Sequence, residues 1–87
     1  MPNIMSAAKR ARQALNNRER NRAGRSAVHS ERRLFLAAVE SKDKDKALQR
    51  FRAYCSVLDK TAKRGIITRN TANRGKSRAA AHLAKLG

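Results

Sequence analysis

Apolar side chains recur at spacings of three and four through the middle of the chain: Ala47, Leu48, Phe51, Tyr54, Cys55, Leu58 and Ala62. That is the period of a helix, and it draws one apolar stripe along a single face. Asp43 or Asp45 can cap the start of this helix, and Lys63 and Arg64 complement the negative end of its dipole. Gly65 then stops it, with Ile66 placed for the hydrophobic contact that accompanies a glycine cap. The pattern predicts a helix over 44–64.

Two further stripes flank the first. Upstream, Val28, Phe35 and Val39 share a face, with Leu34 and Leu36 alongside, and Ser41-Lys42-Asp43 makes a short turn. Downstream, Ala72, Ala79, Leu83 and Leu86 form the third stripe, with Thr68 or Asn70 available as N-cap. Gly75 inside that helix weakens it by about 1 kcal/mol relative to Ala. Pro2 is the only proline, so proline forbids helix nowhere beyond it. The expected fold is all-α: helices over about 6–41, 44–64 and 69–86, packed as a three-helix antiparallel bundle in one domain spanning 1–87.

The first helix outruns its partner. At 1.5 Å per residue it would be roughly 54 Å long against roughly 30 Å for the second. The overhang, about 6–25, holds one bulky apolar residue, Leu15, among scattered alanines, and Gly24 is its soft point. Lys9, Arg10, Arg12, Arg18, Arg20, Arg22 and Arg25 do not share a face. A helix that is polar and cationic on every side is not stable alone, so the arm is expected to fray until phosphates surround it. Because the second helix runs back along the first, Gly65 should lie beside residues near Arg20. The third helix begins there, which brings Arg64, Arg69, Arg74, Lys76 and Arg78 toward the arginines of the first and makes one continuous basic surface.

Charge gives that surface a partner. The 87 residues carry 22 Lys and Arg against 6 acids, a net charge of +16. Such an imbalance repels itself in a compact monomer, and a polyanion relieves it, because each cation that neutralises a phosphate also releases a condensed counterion. The imbalance sits at the ends: residues 1–33 are net +7 and 60–87 net +8, while 34–59 are net +1. Arg outnumbers Lys by 14 to 8, and the planar guanidinium suits paired contacts to phosphate. The charges fall singly or in pairs, as on helices, rather than in the long basic block of a targeting tail.

Catalytic chemistry has no foothold. Cys55 is the only cysteine, which excludes an intrachain disulfide, fits a reducing compartment, and on an apolar stripe marks a small buried hydrophobe. His29 and His82 are not at ligand spacing on one helix and are expected to be partly exposed or to add to the nucleic-acid contacts. Glu19, Glu31, Glu40, Asp43, Asp45 and Asp59 form no acid–base pair and look like caps and charge partners, Asp59 standing four residues before Lys63. No phosphate loop or dinucleotide fingerprint occurs. The expectation is no enzyme, no metal, no cofactor and no small-molecule substrate. The longest apolar run, Leu34 to Val39, is far short of a membrane span, and residues 6–25 lack the bulky anchors of a membrane-surface helix.

Several short motifs have a familiar order. Met1-Pro2-Asn3-Ile4, Ser6-Ala7, Lys9-Arg10, Arg12-Gln13, Arg20-Asn21-Arg22 and Ser26-Ala27 resemble the opening of the bacterial small-subunit ribosomal protein S-twenty family. Gly65-Ile66-Ile67, Asn70-Thr71-Ala72, Arg74 and Lys76-Ser77-Arg78 resemble that family's second signature, and the likeness spans nearly the whole chain. The resemblance implies a three-helix bundle bound to 16S ribosomal RNA among neighbouring small-subunit components, with a role in subunit assembly in the bacterial cytoplasm. By position it implies RNA contacts from Lys9, Arg10, Arg12, Arg20, Asn21, Arg22, Asn70, Arg74, Lys76 and Arg78. The basic-surface reasoning above adds Arg18, Arg25, Arg64 and Arg69. Met5, Ala8, Asn16 and Asn17 depart from the pattern, standing where it carries mostly basic residues. The opening residues share their Arg-rich composition with organelle transit peptides, but they belong to the motif and favour a bacterial protein. A histone-like protein binding duplex DNA without sequence preference would satisfy composition equally well; only the motifs favour RNA. With all three aromatics on or beside the core stripes, the protein is expected to read RNA shape and phosphates rather than splayed bases.

Overall fold

The computed structural model describes residues 4–86, so the Met1-Pro2-Asn3 opening of the first motif lies outside the described residues. Three helices follow one another: α1 (Ile4–Glu40), α2 (Lys44–Lys63) and α3 (Arg69–Ala84). The fold is all-α, an antiparallel three-helix bundle with a long first helix. α1 starts two residues before the expected Ser6, and α3 ends two before the expected Leu86. Through Gly24 the first helix continues without a break.

Local chemistry sets each boundary. After α1, the Ser41 hydroxyl donates to the Ala38 carbonyl at 2.8 Å, and Lys42 turns the chain with φ 59°. Asp43 has extended backbone and its carboxylate accepts from the Lys46 N–H at 3.2 Å, so Asp43 rather than Asp45 is the cap of α2. At the far end of α2, Gly65 takes φ 77°. Its N–H donates to the Ala62 carbonyl, while the Ile66 N–H reaches back to Thr61, both at 3.0 Å. These are the two bonds of a Schellman cap, and they satisfy carbonyls the helix would otherwise leave open. Thr68, not Asn70, caps α3, its hydroxyl accepting from the Thr71 N–H at 3.1 Å.

α2 is the middle of the assembly. Phe35 from α1, Tyr54 and Leu58 from α2, and Ala72 and Ala79 from α3 make the buried cluster. Phe35 packs against Phe51 at 6.0 Å between ring centroids and lies nearly parallel to Tyr54 at 6.2 Å. Thr61 is the buried polar residue of the core, and its hydroxyl is held by the Val57 and Leu58 carbonyls of its own helix at 2.8 and 3.0 Å. Its methyl is thereby turned outward, toward α1.

The two helical glycines are also packing sites. A β-carbon on Gly24 would stand 2.6 Å from Ile66 Cδ1 and 3.5 Å from Thr61 Cγ2. One on Gly75 would stand 3.0 Å from Leu58 Cδ1 and 3.2 Å from Tyr54 Oη. A side chain at Gly24 would have to displace the end of Ile66, just past α2, and one at Gly75 would press Leu58 and Tyr54 of α2 back by a few tenths of an ångström. The Gly24 contact also fixes the register: Ile66 meets α1 at Gly24, one turn from Arg20, so the α2 cap lies near Arg20 as expected.

Candidate nucleic-acid interface

Two basic surfaces emerge from this packing. The first is the arm. Beyond Gly24 none of the described residues packs on α1, and every residue from Met5 to Ala23 is exposed. Lys9, Arg10, Arg12, Arg18, Arg20, Asn21 and Arg22 all stand on this stretch, distributed around the helix, with Glu19 the only acid among them. α1 has 37 residues and α2 has 20. The exposed stretch from Met5 to Ala23 projects about 28 Å from the bundle at 1.5 Å per residue, and the molecule measures 66 × 21 × 13 Å.

The second surface is a groove. α2 packs on both other helices, but α1 and α3 scarcely meet, and an open groove of about 500 Å³ separates them. One wall carries Arg25, His29 and Arg32 of α1; the other carries Arg74, Arg78, His82 and Lys85 of α3. Val28, Leu36, Ile67 and Ala79 line it between the walls, above Phe35, Tyr54 and Leu58. No acidic residue lines it. The expected meeting of Arg74 and Arg78 with the basic face of α1 is thus present, although across a cleft and opposite Arg25 and Arg32 rather than against the arm. Arg32 and Lys85 were not singled out by sequence. Their signal is helical spacing, Arg32 lying seven residues after Arg25 and Lys85 seven after Arg78.

Arg64, Arg69 and Asn70 are exposed at the end of the bundle where α1 leaves it, on either side of the Gly65 cap. Lys76 is differently placed. Its ammonium meets the Asp59 carboxylate at 2.8 Å, joining α3 to α2 in the only ion pair among the described residues. Asp59 therefore pairs across helices and not with Lys63, as sequence spacing suggested. Being largely exposed, this pair contributes about 0.2–1 kcal/mol at most. Asp43 is a cap as expected. Glu31 is neither cap nor ion-pair partner: one carboxylate oxygen is buried without a hydrogen-bond partner, and nothing in the structure explains it.

Cys55 is half-buried. Burial raises its thiol pKa above the ordinary value, Lys76 opposes the rise, and Asp59 adds to it, so at neutral pH the sulfur keeps its proton. Among the described residues no group of three His, Cys, Asp or Glu could hold a metal ion, and no helix is long and apolar enough to cross a membrane.

Comparison with known proteins identifies relatives of the whole chain. The sequence model of the family described as Ribosomal protein S20 matches residues 2–84. The small ribosomal subunit protein bS20 of Methylococcus capsulatus is 44% identical over 86 residues, covering 99% of this chain and 94% of that protein. The bS20 protein of Azotobacter vinelandii is 42% identical over 87 residues, covering 100% and 96%. That of Akkermansia muciniphila is 42% identical over 86 residues, covering 99% of each.

Proposed function

The chain belongs to the ribosomal protein S20 family, and from that premise we propose that it is a structural constituent of the bacterial small ribosomal subunit that binds 16S ribosomal RNA directly. It is not an enzyme. It works in the cytoplasm, where it supports subunit assembly beside neighbouring small-subunit components.

The observation that carries this function is the arm. A helix exposed on every side from Met5 to Ala23, with cations all round it, suits a site enclosed by phosphates rather than a flat surface. Lys9, Arg10, Arg12, Arg18, Arg20 and Arg22 are the phosphate contacts of the arm, with Asn21 among them. Arg25, Arg64, Arg69, Asn70, Arg74 and Arg78 extend the interface over the bundle. Lys76 joins them only with the charge that Asp59 leaves uncompensated.

Chemical footprinting on small-subunit RNA, with duplex DNA of equal length as competitor, tests the function. Protection should survive the DNA competitor. If about 6–10 phosphates are neutralised, affinity should fall by about 10³–10⁵ between 50 and 200 mM salt. Equal affinity for DNA, or a nearly flat salt response, would overturn it.

A further inference from the structure

We propose that the groove between α1 and α3 receives an unpaired stretch of the bound RNA, with a base on its apolar floor and the flanking phosphates on its two cationic walls. This rests on the RNA-binding function above and names a part of the ligand which that function leaves open.

The floor and the walls call for different chemistry in one ligand. Val28, Leu36 and Ile67 are only half-buried, because α3 does not close over α1, so apolar surface stays open between charged rims. Arg25 and Arg32 on one side face Arg74, Arg78 and Lys85 on the other, with no carboxylate in the lining to neutralise them. The occupant is therefore anionic at its edges and apolar in its middle.

Geometry selects among such molecules. α1 and α3 both run antiparallel to α2 and so run parallel to each other, and their cations continue along the groove, about 16 Å from Arg74 to Lys85 at helical rise. A fatty anion carries its charge at one end and would leave most of both walls uncompensated. A duplex keeps its bases stacked inside. An unpaired strand carries a charge at every unit and presents flat faces between charges, which is how proteins commonly engage single-stranded RNA. Phe35 and Tyr54 reach the groove only from its buried base, so arginine planes and aliphatic side chains provide the stacking surface, and a splayed base is accommodated here although the placement of the aromatics argued against one.

Ala81 lines the groove and is exposed, so Ala81→Trp fills the groove without entering the core. In the full chain this variant should bind small-subunit RNA more weakly than wild type, because the base is displaced from the floor. Base-specific chemical probing should show a few unpaired bases deprotected, with the backbone protections of the arm retained. Unchanged base reactivity alongside normal binding would sink this inference alone. Failure of the wild-type protein to bind the RNA at all would sink the proposed function with it. Should Ala81→Trp fold poorly, the wild-type protein gives a second measurement. Oligouridylate should shift the methyl resonances of Val28, Leu36 and Ile67. Shifts confined to arm residues, or groove shifts produced by oleate or an acidic peptide but not by oligouridylate, would overturn the assignment.

Discussion

The Cδ1 methyl of Ile66 lies 2.6 Å from the point a β-carbon on Gly24 would occupy, so the residue after the α2 cap is seated directly on the backbone of α1. This seat marks the root of the arm: inward of it α1 is packed, and outward it is bare. Gly24→Ala gains about 1 kcal/mol of helix propensity but has to displace Ile66, and overpacking costs about 1–3 kcal/mol. The expected net effect is a loss of up to about 2 kcal/mol. In an Ile66→Val background the offending methyl is gone, and the penalty should largely vanish. Thermal unfolding of the four proteins in this cycle checks it; the same change in both backgrounds would show that no such seat exists.

Gly65 isolates a different effect. Nothing lies within 4 Å of a β-carbon built there, yet φ is 77°. Gly65→Ala should therefore lose only conformational energy, about 1–2 kcal/mol, seen as a melting temperature lower by about 4–8 °C per kcal/mol. Gly65→Asn should lose less, because Asn tolerates this region. An Ala variant as stable as wild type would mean the cap contributes nothing.

The arm should be separable from the bundle in hydrogen exchange. In the free protein, amides around Phe35, Phe51 and Leu58 should be protected and those from Lys9 to Arg22 should exchange almost freely, becoming protected when RNA is added. Strong protection of the arm without RNA would show that it needs no ligand to order.

Arg20→Ala and Arg22→Ala should weaken RNA binding and leave the melting temperature within about 0.5 kcal/mol equivalent of wild type, as for exposed surface positions. Parallel losses of binding and stability would place these side chains in the support of the fold.

Cys55 yields a pH dependence. Its folded pKa is raised, so the folded state holds a proton through a range, beginning near about 8.5, where the unfolded thiol ionises. The stability this contributes is present below that range and is lost as pH rises through it. Wild type should lose stability above about pH 8.5 more steeply than Cys55→Ala, and alkylation at pH 8 should be slower in the folded protein than in urea. Identical pH profiles would contradict the shift.

Much of the architecture was legible because local and global signals agree. The stripe from Ala47 to Ala62, the glycine stop at 65 and the oxygen-bearing caps at 43 and 68 each carry their physics in a few adjacent residues. The bare arm was legible too, since a segment whose bulky apolar residues are only Met5 and Leu15 has almost nothing to bury. What depends on packing was not. Gly24 and Gly75 lower helix propensity, and only the neighbouring helix reveals that they permit its approach. Asp59 has Lys63 one turn away, but the position of α3 decides for Lys76. The groove is least visible of all, because it arises where two helices fail to meet. Its wall residues Arg32 and Lys85 sit in runs that read as ordinary solvated charge.

Since every side chain from Met5 to Ala23 is exposed, none of the described residues dictates the order of residues there. A chain with that stretch shuffled should build the same core. Whatever makes one arrangement of its arginines better than another has to be written in the shape of the RNA, and the arm is in that sense a cast of something outside itself.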